Sequence, residues 1–173
     1  PINQLFFAVA GLFAGKSILG SVVVLRIIMI LADLGILYFG KKLLERISLP
    51  VSNIFWYFLN PFVIIELTGN LHFEGVMLFF VICSLYLLHQ GKWFLAALAL
   101  AVSVGVKLIP LLFLPLFFQY FTQKESLAKG FWNFTKFCLV VLGGVLLLFA
   151  PFISSEFILN FSNTVNLWFQ NFE

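Results

Sequence analysis

The chain has 173 residues, of which 62% are hydrophobic and only 10% charged, and 24 of them are phenylalanine. So little polar surface cannot cover a soluble core, so lipid is the solvent of this fold and an all-α bundle of membrane helices is expected. The net charge of +3 is too small and scattered for a nucleic-acid partner, and Cys83 and Cys138, each inside an apolar run, read as packing residues rather than a disulfide or redox pair.

Pro1 opens straight into Ile2-Asn3-Gln4 and an apolar stretch, with no initiator Met and no signal-peptide pattern before it. Asn171-Phe172-Glu173 stops in mid-segment. We therefore expect residues 1–173 to be a single transmembrane domain, a fragment of a longer polypeptide.

The opening run, 5–14, is too short to cross a bilayer and is expected to lie along the interface. Residues 21–39 form the clearest span, and 51–67 the second, interrupted by Asn60-Pro61. A short third span covers 75–88. The apolar stretch 93–121 is too long for one ordinary helix and carries Lys107, Pro110 and Pro115 inside it. It divides into two short helices, 93–107 and 109–121, with Pro110 in the first turn of the second, where its missing N–H costs nothing. Residues 137–152 make the last span. The expectation is about six spanning helices plus an N-terminal interfacial helix.

Basic residues accumulate in cytoplasmic loops, so loop charge sets the orientation. The segments 40–50, 89–92 and 122–136 carry Lys41, Lys42, Arg46, Lys92, Lys124, Lys129 and Lys136, seven of the ten Lys and Arg residues. They share one side only if 93–121 is a hairpin, so the charge rule supports the split. The opposite side receives the opening segment, the turn 68–74, the Lys107 turn and the stretch 154–173. There Asn70, His72, Glu74, Lys107 and Glu156 gather, with Glu66 just inside the membrane.

Ionisable groups at the edge of an apolar zone are costly and mark function by default. In the stretch from Glu66 to Gly75, Gly69 can end one helix while Gly75 lies at the start of the next. If the turn is extended, His72 and Glu74 point to the same side. The free N–H groups of the next helix face the same space and favour an anion such as phosphate. The functional reading is an acid/base or phosphate-binding pair, and the plainer one is a solvated loop capping two helices. Two ligand-type residues are weak grounds for a metal. Lys107, in Gly105-Val106-Lys107-Leu108-Ile109-Pro110, suits a lipid-linked phosphate or pyrophosphate, or it snorkels to the headgroups.

Arg26 and Asp33 lie on one face of the first span, roughly 10 Å apart along its axis and too far to pair directly. Arg26, in the outer half, can reach a phosphate; Asp33, deeper, is expected to bond to a neighbouring helix. Asn60-Pro61 reads as a kink whose freed backbone groups find partners nearby. The aromatic residues are read as packing and interfacial anchors. Asn160-Phe161-Ser162 fits a glycosylation sequon on the outer side.

These passages resemble the polytopic, lipid-sugar-dependent glycosyltransferases of the GT-C superfamily. Bacterial mannosyltransferase-like members are nearest, the GPI mannosyltransferases more distant. Pro1-Ile2-Asn3-Gln4 and the helix bearing Arg26 resemble the end of that family's first large external loop and the span that follows. Asn60-Pro61, Glu66 and the run from Gly69 to Glu74 resemble its asparagine-proline helix and polar outer turn. The Lys107 phrase is similar to its glycine-x-lysine-x-x-proline hairpin turn, and the closing run from Asn166 to Glu173 to the start of a later external loop.

The resemblance implies an inverting transferase in the inner membrane of a bacterium. It would move a sugar, by expectation mannose, from a polyprenyl-phosphate donor to a glycan or lipid acceptor on the non-cytoplasmic face. On that basis His72 and Glu74 are the expected catalytic residues, with Asn70, Lys107, Arg26 and Glu66 binding substrate. The family's catalytic Asp would precede Pro1, so this chain would hold the donor-phosphate side and lack the general base. The residues present assign no metal or other cofactor, and a divalent metal is left open because the preceding loop could supply ligands. A multi-pass transporter or flippase is the alternative. It fits Arg26 and Asp33, but it predicts a repeat between the halves that the sequence does not show. A non-catalytic scaffold would leave the outer cluster unexplained.

Overall fold

The computed structural model describes residues 1–124 and 126–170, and all regular structure among them is helical. Helix α1 (Ile2–Ala14) ends at Gly15, whose φ of 57° turns the chain, and Ser17 caps the next helix by accepting from the Gly20 N–H at 3.1 Å. That helix, α2 (Ile18–Arg46), is the longest, with 29 residues. A short 3-10 turn leads into α3 (Ile54–Phe58), and the chain breaks at Asn60-Pro61 before α4 (Pro61–Val63) and a π-helical turn, Ile64–Gly69. The break is a kink of the expected kind. Pro61 opens the second half, the Asn60 side chain accepts from the Phe62 N–H at 3.0 Å, and the two halves meet at 52°.

Next come α5 (Glu74–His89) and α6 (Trp93–Val106), then α7 (Leu114–Lys124), α8 (Leu127–Phe149) and α9 (Ser155–Gln170). The expected division of 93–121 is present: α6 stops at Val106, Lys107 is extended, and Pro110 lies in the first turn of the 3-10 segment Ile109–Phe113 that leads into α7. Two expectations are corrected. Residues 122–136 are largely helical rather than loop, because α8 begins at Leu127, and residues 155–170 form a helix that hydropathy alone did not reveal. The last three residues of the closing motif, Asn171-Phe172-Glu173, lie outside the described residues.

The number of crossings is also corrected. Among the described residues, α2 and the segment Leu127–Phe152 are long and apolar enough to span a bilayer, with the bent pair Val51–Phe58 and Pro61–Gly69 making a third if it counts as one span. The other apolar helices have 10–17 residues. At about 1.5 Å per residue they fall short of a hydrocarbon layer roughly 30 Å thick.

The core lies between α5, α6, α7 and α8, around Leu88, Ala97, Leu100, Phe117 and Phe137. Two buried serines tie α5 to α6: Ser84 donates to the Ala96 carbonyl at 2.7 Å and Ser103 to the Met77 carbonyl at 2.8 Å. Gly144 lets α8 approach α6 so closely that a Cβ there would stand 2.8 Å from that of Ala101. A second apolar cluster, including Ile2, Met29, Val76 and Val106, joins α1 and α2 to the outer ends of α5 and α6. Large apolar side chains such as Phe13, Ile18, Trp56, Leu112 and Leu147 cover the outside, as befits a protein solvated by lipid.

The basic segments and the polar turn after α4 lie at opposite ends of the bundle. Arg46 donates to the His89 carbonyl at 2.7 Å and Tyr120 to the Leu88 carbonyl at 2.8 Å, which brings the end of α2, the α5–α6 loop and α7 together. The turn after α4, the start of α5 and Lys107 meet at the other end.

Candidate functional site

The outer cluster is built on irregular backbone. Six residues, Ile64–Gly69, are wound as a π-helix, and the chain then reverses through Leu71 at φ 58°. Gly69 ends the helix as expected, but the left-handed position falls on Leu71, which packs against the second apolar cluster. A bulky residue held there is strained, and π-turns and strained residues concentrate at functional sites. The Asn70 N–H bonds to the Ile65 carbonyl at 2.9 Å and that of His72 to Leu67 at 3.1 Å, so the turn is fixed rather than loose.

Five of the six expected site residues form one connected chain. Asn70 donates from Nδ2 to Glu66 Oε2 at 3.2 Å. His72 stands between two carboxylates, with Nε2 3.8 Å from Glu66 Oε2 and Nδ1 3.5 Å from Glu74 Oε2. The other oxygen of Glu74, Oε1, binds the Lys107 ammonium. The 3.5 Å separation is too long for a hydrogen bond, and Glu74 Oε2 is accordingly buried with no hydrogen-bond partner among the described residues. His72 and Glu74 do converge, but not through an extended turn: Leu71 is left-handed and Phe73, between them, is helical at φ -68° and ψ -1°. Lys107 reaches them because its extended backbone ends α6 and directs its side chain across to the start of α5.

Arg26 sits at the edge of this chain. Its Nη2 donates to the Gly69 carbonyl at 3.2 Å and its side chain is otherwise exposed. Asp33 is held apart, accepting at Oδ2 from Thr68 at 2.8 Å, which is the bond to a neighbouring helix expected of it. These two contacts place the turn level with the Arg26–Asp33 part of α2. Arg26 is eight residues below Ile18, so the cluster is recessed by about 12 Å from the outer end of α2.

Electrostatics assign a state to Glu74. Burial alone would push its carboxyl up, but the Lys107 hydrogen bond and charge, the backbone at the helix start and His72 outweigh it, so its pKa lies below the ordinary 4.5. Glu74 is therefore ionised at neutral pH and, paired with an ammonium, is a weak base. His72, half exposed and flanked by two carboxylates, is better placed to handle a proton.

Among the described residues no three His, Cys, Asp or Glu side chains converge as a ligand set, and Glu74 already carries Lys107.

The residue reading missed Thr68 and Tyr57, which face Asp33, and Asn3, whose Nδ2 donates to the Val106 carbonyl at 3.4 Å beside Lys107. Nothing local marked them, since each gains its role only from a contact across the fold.

Residues 1–123 match the family described as "Alpha-(1->6)-mannopyranosyltransferase, N-terminal domain". No curated protein and no solved structure gives a match.

Proposed function

Since this chain belongs to the alpha-(1->6)-mannopyranosyltransferase family and is a membrane-protein domain of mannosyl-transfer type, we propose that its outer cluster binds the phosphate side of a polyprenyl-phosphate mannose donor on the non-cytoplasmic face. The observation that carries this reading is the connected chain Asn70–Glu66–His72–Glu74–Lys107 with Arg26 at its edge, at the bundle end away from the basic loops.

The reaction is a single displacement, which inverts the anomeric carbon. An acceptor hydroxyl attacks that carbon and forms the new glycosidic bond, while the bond from the carbon to the phosphate oxygen breaks. The electron pair leaves with the lipid phosphate, which gains negative charge. Lys107 and the unused N–H groups of Arg26 stabilise that charge, in a recess where such interactions are stronger than in bulk water. The acceptor proton passes to a base, either a carboxylate outside this segment or His72. Glu74 holds Lys107 and orients His72, a role that agrees with its low basicity. Glu66 and Asn70 supply an acceptor and a donor suited to sugar hydroxyls. The recess brings the reacting phosphate below the level of α2's outer end and lets a polyprenyl tail remain in lipid.

The test uses the full-length protein in membranes, supplied with radiolabelled polyprenyl-phosphate mannose and an acceptor extract. His72→Ala, Glu74→Ala and Lys107→Ala are compared with wild type at matched protein levels. Label transfer that depends on these residues supports the reading. Equal transfer in all four proteins removes the cluster from the mechanism.

The transporter reading draws on one feature, the broken helix at Asn60-Pro61 facing the mid-helix carboxylate of Asp33. Movement of labelled lipid across the membrane without any label transfer would favour it.

A further inference from the structure

Helix α9 leaves the bundle where the apolar segment Leu127–Phe152 ends. That segment closes in a 3-10 turn at Ala150–Phe152, Ile153 is extended, and the Ser154 hydroxyl caps the new helix by accepting from the Phe157 N–H at 3.1 Å. Phe157 then packs on Phe149, ring centroids 6.3 Å apart, so the start of α9 returns to the level of the last turn of α8. Phe157 is half-buried there, and beyond it every side chain described as far as Leu167 is exposed. The helix is two-sided. At about 100° per residue, Phe157, Phe161 and Ile158 share an arc of about 100°, and the rings of Phe157 and Phe161 stack at 6.0 Å. Glu156, Asn160, Asn163 and Asn166 occupy an arc of about 120° on the other side. Leu159 and Leu167 fall within that polar arc.

We infer that α9 docks on the outer surface of the bilayer, with Phe157, Ile158 and Phe161 set at the headgroup–acyl boundary and the asparagine side in water. The Phe149 contact fixes which side faces lipid. Phe149 belongs to a segment long and apolar enough to span, so the arc that starts at Phe157 continues a surface that lipid already covers. Ile158 is 58% exposed and Phe161 50%, so the described part of the chain leaves that arc open. The other side excludes immersion. A carboxylate and three amides, spaced about a turn apart, would enter hydrocarbon without partners, at a cost of several kcal/mol. Charge narrows the surface further. Between Ser155 and Gln170 there is no Lys or Arg, and Glu156 is the one charged residue, so attraction to anionic headgroups adds nothing. The partner is an uncharged lipid surface, held by apolar burial. This inference does not depend on the transferase reading.

The experiment is spin labelling of the full-length protein in phosphatidylcholine nanodiscs, with the native cysteines, Cys83 and Cys138 among them, replaced by Ala. Single labels are placed through Ile158→Cys, Leu159→Cys, Phe161→Cys and Asn163→Cys. At each, collision with oxygen, which concentrates in lipid, is compared with collision with a nickel chelate, which stays in water. The oxygen-to-nickel ratio is expected to be about five-fold higher at positions 158 and 161 than at 163. Position 159, although apolar, is expected to match 163, because the helix turns it to water. Positions 158 and 161 report the same arc, so either decides if the other variant does not fold. Nickel collision as frequent at 158 and 161 as at 163 would overturn the inference by placing α9 in water. Exclusion of both reagents there would overturn it by showing that protein covers the arc. A ratio at 159 as high as at 161 would show a helix immersed on all sides. Nanodiscs of equal parts phosphatidylcholine and phosphatidylglycerol should give the same pattern, and a pattern seen only in them would overturn the assignment to an uncharged surface.

Discussion

The two ends of this bundle hold cations in opposite ways. At the basic end three of them are met by a helix-terminal carbonyl or an aromatic ring. Arg46 binds the His89 carbonyl at the close of α5 and lies 5.8 Å from the Tyr86 ring, Lys42 lies 4.2 Å from the Tyr38 ring, and Lys136 lies 5.5 Å from that of Trp132. These are caps and cation–π contacts on regular helix, each made without reference to the others. At the outer end Lys107 joins a chain of carboxylate, imidazole, carboxylate and amide, built on a π-turn and a left-handed leucine. The difference is that these cations finish regular helices, whereas Lys107 belongs to a coupled set on strained backbone, the arrangement on which the proposed donor site rests.

Two substitutions at the outer end carry the largest expected effects, and both concern activity. Lys107→Ala should lower mannosyl transfer by about 100-fold or more, the usual cost of removing a group that stabilises charge in the transition state. His72→Ala should lower it by about 100-fold if the imidazole handles the proton. Both should leave thermal unfolding in detergent nearly unchanged, because these side chains are 39% and 50% exposed. A loss of fold equal to the loss of activity would erase the contrast between the ends.

At the basic end the expected loss is of stability instead. A Cβ at Gly130 would stand 2.8 Å from the Phe121 carbonyl oxygen and 2.9 Å from the Thr122 Cα, both backbone, so no side chain can yield. Gly130→Ala should cost about 1–3 kcal/mol, read as a lowered unfolding temperature, with transfer per folded molecule kept. Arg46→Ala, which removes one exposed hydrogen bond to a helix-terminal carbonyl, should cost about 1 kcal/mol or less. An activity loss in either protein that outlasts correction for folded protein would show that the basic end also serves the reaction.

How far the sequence reaches follows the same division. The hairpin at Lys107 was legible because Lys107, Pro110 and Pro115 interrupt a run too long for one helix. His72, Glu74 and Lys107 stood out because ionisable groups amid apolar residues are conspicuous. What was illegible depends on contact between distant positions. That Thr68 serves Asp33, 35 residues away, or that Arg26 donates a hydrogen bond to the Gly69 carbonyl, requires the packing of the bent pair on α2. Crossing number failed for a different reason. Hydropathy registers that α5 and α6 are apolar, but burial against one another and against α8 needs the same composition as lipid does, at 16 and 14 residues. Helix α9 was read as part of an external stretch because its mixed polar and apolar residues suit an amphipathic helix and a loop equally until the backbone is seen.

The smallest expected effect isolates the Glu74–Lys107 link from the rest of the outer cluster. Glu74 has a pKa below its ordinary 4.5 in the folded protein, so in the window beneath 4.5 the unfolded chain binds more protons than the folded one. Stability must then rise with pH through that window. The contribution is complete above 4.5 and is lost as the pH falls through the depressed value. Glu74→Gln abolishes the titration while keeping the side chain's shape. The unfolding temperatures of wild type and Glu74→Gln should therefore differ by a constant amount between pH 5 and 7, and the difference should shrink below about pH 4.5. Its size should stay under about 1 kcal/mol, because the pair is 29% and 39% exposed and partly screened. A difference that grows on acidification would mean that Glu74 is held by something that favours its protonated form. The outer cation would then be as isolated as those at the basic end, and the contrast between the ends would rest on His72 and Glu66 alone.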